Sequence, residues 1–209
     1  MTKNPIVAAV LVLGLPLVAA AAPAVMGHGQ RAATPAASPD GVCYSSMGTD
    51  TLNAILSQNF EATFAAYSSQ SAADFVLTET CVARSVDFVG QYFNGSGPAD
   101  SVDVTVYKNS NNMPGKVLKT FHSRAYSNGA SFHIKLAGTL KAGHYWLSPV
   151  ANMAFGAGGE WGWEVQSETA NGTEGMWQNP GGGFGICPTW DTITNCIGVS
   201  GDFMFSINN

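Results

Sequence analysis

An all-β fold, an antiparallel sandwich of the jelly-roll kind with about nine strands, is what three features of this sequence predict. Apolar and polar residues alternate in short runs, as in "SVDVTVY" at 101–107. Breaks rich in Gly, Asn and Pro, such as "NGSGPAD", "NSNNMPGK" and "SNGA", separate those runs. From Leu52 onward almost no 3.6-residue periodicity interrupts them. Four cysteines, Cys43, Cys81, Cys187 and Cys196, add two expected disulfides with three possible pairings. Cys187 and Cys196 bracket "PTWDTITN", a short loop that favours the local pairing and leaves Cys43 to tether to Cys81. Metal ligation would need C-x-x-C spacing or neighbouring histidines, and the cysteines have neither.

The N-terminus opens "MTKNPIVAAVLVLGLPLVAAAAPAVMGHG". Lys3, an apolar run from Ile6 to Ala22 and the small residues around Pro23 make the pattern of a secretory signal peptide over 1–24, with Ala22-Pro23-Ala24 as the preferred cleavage site and a cut one to three residues earlier as the alternative. No second apolar run follows, so no membrane insertion is expected after cleavage. The expected location is secreted, extracellular or periplasmic. Residues 25–50 begin with the aperiodic, Ala/Pro/Gly/Ser-rich "VMGHGQRAATPAASPDGV" and read as a flexible lead-in. Residues 51–209 read as one sandwich domain, long enough for a sizeable core. Loss of Lys3 with the leader leaves eight basic residues against fourteen acidic ones. That balance argues against nucleic acid or an anionic membrane as partner, since both call for clustered Lys and Arg.

The strands are expected in chain order at "AILSQNF" (54–60), "ADFVL" (73–77), "SVDFVGQYF" (85–93), "SVDVTVY" (101–107), "KVLKTF" (116–121), "SFHIKL" (131–136), "HYWLSPV" (144–150), "EWGWEVQ" (160–166) and "DFMFSI" (202–207). Each alternates or is a short apolar run bounded by turn residues. In "SVDVTVY", Val102, Val104 and Val106 share one face, and Asp103, Thr105 and Tyr107 the other. In "EWGWEVQ", Trp161, Trp163 and Val165 form the core face, which leaves Glu160, Gly162, Glu164 and Gln166 on the opposite, wetter face. "NPGGGFG" lacks a strand-to-helix context for phosphate and reads as a close-packed turn.

The succession "VDFVGQYFNGSGPADSVDVTVYKNSNNMPGKVL", "LKAGHYWLSPVANM", "GEWGWE", "MWQNPGGGFGICPTW" and "GDFMFSI" resembles a group of small exported bacterial β-sandwich domains. Members occur alone or appended to extracellular proteases and surface proteins. They are similar in layout to proprotein-convertase P-domains and carbohydrate-binding jelly rolls. The resemblance covers residues 54–208; it implies an accessory exported module and carries over no catalytic residue.

Candidate chemistry falls in two places. Trp146 shares a strand face with His144 and Ser148, and with Trp177 and Trp190 it could line a groove edged by Gln178 and Asn179. Tryptophan stacking beside amides is how many sandwich modules hold sugars; the equal alternative is that long loops fold over these rings and bury them. A non-catalytic recognition module for glycan or polysaccharide is therefore the leading expectation. A structural module packed on a surface protein is the alternative. The second place is the pair Glu160 and Glu164, which would make a glycoside-acting enzyme. Their Cα atoms stand about 13 Å apart on one strand face, though long side chains can lean together. Laminarinase-like sandwich glycosidases carry an Asp between two such glutamates, where this chain has Gly162. No G-x-S-x-G elbow occurs. His28, His122, His133 and His144 lie singly, without metal-ligand spacing. No cofactor is expected; calcium stays open, with Asp100, Asp103 and Asp191 as loop candidates.

Overall fold

The computed structural model describes residues 21–31 and 41–209. It is an antiparallel β-sandwich. One layer is a sheet ordered Pro114–Arg124, Ser101–Asn109, Gly143–Asn152, Gln70–Leu77, Met176–Gln178 and Asp191–Thr192. Gln58–Asn59 joins Gly143–Asn152 in parallel.

The second layer is bent. Phe132–Leu140, Cys81–Phe88, Phe205–Asn208 and Val42–Ser46 form one part of it. The other part contains Met26–Gly27, Asp50–Leu56, Glu160–Gln166, Gly90–Phe93 and Gln30–Arg31 side by side, with Asp202–Phe203 also on Glu160–Gln166. Two chain segments run through both parts, bending at Val89 and Met204. There Val89 N–H donates to Met204 O, Met204 N–H to Glu164 O and Glu164 N–H to Val89 O. The expected runs 85–93 and 202–207 are each split at this corner.

Alternation sorts the core as expected. Val102, Val104 and Val106 are buried between the layers. Trp161 stacks on Phe132 at 4.3 Å, and Trp163 stacks on Phe203 at 4.6 Å with Phe88 edge-on. Each indole N–H has an acceptor, Trp161 at Ala130 O and Trp163 at Met204 O, both 2.8 Å away. Gly90 lies under Trp161, where a Cβ would come within 2.5 Å of the ring. Both expected disulfides are present, Cys43–Cys81 and Cys187–Cys196.

Two differences bear on function. Residues 25–50, expected as a flexible lead-in, include three strands. Met26–Gly27 pairs with Asp50–Leu56, Gln30–Arg31 with Gly90–Phe93, and Val42–Ser46 with Phe205–Asn208. These pairings join segments distant in sequence, which local composition does not reveal. The described residues also form more strands than nine, because corners and bulges divide runs and short strands such as Met176–Gln178 are added. Positions 1–20 of the expected signal peptide lie outside the described residues; Ala24 donates its N–H to Glu160, a contact that the mature chain keeps with a cut one to three residues earlier. Among the described residues no helix is long and apolar enough to cross a membrane.

Candidate functional site

The six groove residues do not make a groove. Trp146 is fully buried in a cluster with Ala72, Tyr107 and Met176, and donates its indole N–H to Asn109 at 2.9 Å. Trp190, half-buried, meets Tyr107 edge-on and packs against that cluster. Trp177 is fully buried on the opposite face of its strand and donates to Leu56 O. Asn179 is buried and structural: its amide donates to Ala66 O and Ser68 O and accepts from Phe184 N–H. That lattice makes "NPGGGFG" the close-packed turn its composition suggests, with Gly181 and Gly183 against Ala66. Gln178 donates to Gln70. Of the five tryptophans, Trp190 alone keeps appreciable exposure, so a broad stacking platform for sugar is not formed. The polar neighbours His144 and Ser148 suggested a wet face, but Met176 and Trp190 close over it.

His144 does have a partner. Its Nε2 lies 2.6 Å from Oδ2 of buried Asp74, whose carboxyl burial pushes up against the pull of the imidazole. His133 pairs likewise with Asp87 at 2.7 Å and His122 with Asp103 at 3.0 Å. Cross-strand packing thus brings an aspartate to each of these three histidines. No hydroxyl or thiol is hydrogen-bonded to His144, so among the described residues the dyad lacks a nucleophile. Asp103 is occupied by Ser123 N–H, His122 and Asn152, and Asp191 by Thr192 N–H and Asn195. Among the described residues no group of three or more His, Cys, Asp or Glu converges as a metal site.

The glutamate face of "EWGWEVQ" is not wet. Glu160 and Glu164 are fully buried, because segment 24–31 lies over them. Ala24 N–H and the Asn94 amide each donate to Glu160 at 2.6 Å. Among the described residues no cation joins them, and burial pushes this carboxyl up to about 7, the two donors offsetting only part. Glu164 receives Arg31 in two-pronged fashion, Nε at 2.8 Å and Nη2 at 2.5 Å, and Arg31 also pairs with Asp50. Burial still pushes Glu164 up to about 7. Between them, a Cβ on Gly162 would come within 2.9 Å of Ala54 and Phe93, so packing closes the position where a third carboxylate would stand. The pair is occupied by protein donors and presents no open face to a sugar.

An apolar recess lies elsewhere, at an open edge of the sandwich. Pro114–Arg124 and Phe132–Leu140 are the edge strands of the two layers on the same side. Both are bulged: the first shifts register against Ser101–Asn109 three times, the second against Cys81–Phe88 between Lys135 and Gly138. Bulges bend edge strands away from regular pairing, and here the layers part. The two strands are linked instead by side chains: Lys119 donates to Ala137 O and Arg124 to Lys135 O, each at 3.0 Å. Between them opens a cleft of about 460 Å³ with walls from Val106, Leu118, Phe121, Leu136 and Leu140. Leu118 is 40% exposed there. Lys108, Lys119 and Lys141 stand exposed around it, and Lys119 also lies over the Phe121 ring at 4.3 Å.

The sequence carries a signal for this edge. Seven of the nine Lys and Arg fall between Arg84 and Lys141, with only three of the fourteen acids, Asp87, Asp100 and Asp103. The overall negative charge therefore conceals a clustered basic region, and net charge alone does not exclude anionic partners. Comparison of the chain with protein-family models, with curated proteins and with solved structures returns no match.

Proposed function

We propose that this protein is an exported, non-catalytic recognition module whose ligand seat is the apolar cleft between Pro114–Arg124 and Phe132–Leu140. The observation that carries this reading is the cleft itself: an opening of about 460 Å³ with an apolar interior, within the range of small-molecule sites. A non-catalytic role is supported by the packing of the groups that could do chemistry. Glu160 and Glu164 are held by Ala24, Asn94 and Arg31, and the Asp74–His144 pair faces no nucleophile. Export is supported by the leader pattern and by two disulfides. A glycan ligand would have to rely on Trp190 for stacking, which makes it the weaker alternative.

Gly138 offers a clean test. It lines the cleft, and a Cβ there would meet only the tip of Phe121, at 3.9 Å. Gly138→Leu should therefore fill the cleft without straining the backbone. The wild-type protein should bind the neutral fluorophore N-phenylnaphthylamine saturably at one site, and Gly138→Leu should abolish the signal at unchanged melting temperature. Equal binding by both proteins would remove the cleft as the seat.

A further inference from the structure

Resting on that reading of the cleft, we infer that its ligand is a single-chain amphiphile with a small anionic head, a long-chain carboxylate whose hydrocarbon lies between the layers and whose carboxylate meets Lys108, Lys119 and Lys141.

The charge pattern argues first. A chain with fourteen acids and nine bases places three lysines around one apolar opening. Among the described residues no Asp or Glu lines that opening. Lysines on edge strands commonly guard against unwanted strand pairing. That role suits Lys116 and Lys135, which lie on the two edge strands and do not line the cleft. It does not account for Lys108, on the inner strand Ser101–Asn109, or for Lys141, in the turn before Gly143. Those two need another reason to stand at the cleft.

The shape argues second. The interior is mainly aliphatic and aromatic, with Val106, Leu118, Phe121, Leu136 and Leu140, and its uncharged polar side chains are the hydroxyls of Thr139 and Tyr145, the latter already bonded to Lys141 O. The link from Lys119 to Ala137 O spans from one edge strand to the other. A slim chain with a compact head can pass beside such a link; a branched or two-chain lipid is too broad for a cleft of about 460 Å³. Lysine ammoniums act as point charges rather than planar forks, so they suit a single charge without demanding a phosphate. Among the described residues no carboxylate lines the cleft to meet a cationic head.

The experiment displaces N-phenylnaphthylamine from the intact protein with four compounds below their micellar concentrations: dodecanoate, dodecanol, dodecylamine and lysophosphatidylglycerol. Dodecanoate should displace the dye at a concentration about tenfold lower than dodecanol, as two to three partly exposed charge contacts allow. Each added CH₂ that enters the cleft should tighten binding by about fourfold. Dodecylamine should be the poorest competitor. The double variant Lys108→Gln/Lys141→Gln should lose about tenfold for dodecanoate and nothing for dodecanol, and added salt should erase the difference between them. Lys119 is left alone because it links the edge strands. Equal displacement by dodecanoate and dodecanol would overturn the anionic head and leave the cleft reading standing. Preference for lysophosphatidylglycerol over dodecanoate would overturn the carboxylate in favour of a phospholipid. Failure of the dye itself to bind would remove the cleft reading, and this inference with it.

Discussion

Replacing Glu160 with glutamine removes an ionisable group from a place where the fold resists its charge. The carboxyl is fully buried, meets only the neutral donors Ala24 N–H and the Asn94 amide, and sits at about 7 rather than 4.5. The folded state therefore holds the proton more tightly than the unfolded chain does. Below about pH 4.5 both states are protonated and Glu160 costs nothing. As pH rises from there to 8 the unfolded chain releases its proton first, and stability falls. At roughly 1.4 kcal/mol for each tenfold change in proton affinity, the loss by pH 8 is about 3 kcal/mol. In a chain of this size that corresponds to roughly 6–12 °C in melting temperature. Glutamine keeps an oxygen for Ala24 N–H, and Asn94 can turn its amide to face the new NH₂. Urea or thermal unfolding of parent and Glu160→Gln at pH 4.5, 6 and 8 measures the effect. The parent should lose about 3 kcal/mol more than the variant across that range, and the variant should be the more stable at pH 8. Glu164, Asp74 and Asp202 are displaced the same way by burial, so the variant keeps a shallower slope of the same sign. An identical slope in both proteins would refute the reasoning, because it would mean that Glu160 ionises as freely in the fold as in water.

Two further substitutions probe the packing. Trp146→Ala should destabilise by about 3–5 kcal/mol in chemical denaturation, the cost of emptying a fully buried indole site; a change within about 0.5 kcal/mol, as for a surface residue, would show that the ring is free to stack on a ligand. Arg31→Ala should cost about 1–2 kcal/mol at pH 8, since the guanidinium is partly exposed but its partner Glu164 is not. That cost should shrink at pH 5, where Glu164 without its cation takes up a proton, and urea unfolding at the two pH values reads the difference.

Period-two alternation made one half of this molecule legible. It put Trp161, Trp163 and Val165 on the core face and Val102, Val104 and Val106 between the layers, because each assignment needs only neighbours along one strand. What covers the other face of a strand is a different kind of information. Glu160 and Glu164 read as solvated because the segment that buries them, 24–31, lies more than 130 residues earlier. Trp146 read as a groove residue for the same reason: its polar strand neighbours are visible, while Met176 and Trp190, which close over it, come from elsewhere. The cleft was half legible. Its lysines could be counted along the chain, but the bulges that part the edge strands depend on the register between strands, which composition does not encode.

The pairing of Val42–Ser46 with Phe205–Asn208 has a consequence for how the chain comes to be folded. One of the earliest strands is completed by the last, and the Ala24–Arg31 segment docks on a strand made only after three quarters of the sequence. On a ribosome or behind a translocation pore, neither can find its place until synthesis is nearly over, and such distant closures are slow. These two closures accordingly come last, after strands of 70–152 that pair among themselves. A fragment ending before Phe205 leaves two strand edges bare, and a pulse of newly made chains should remain protease-sensitive until the final residues emerge.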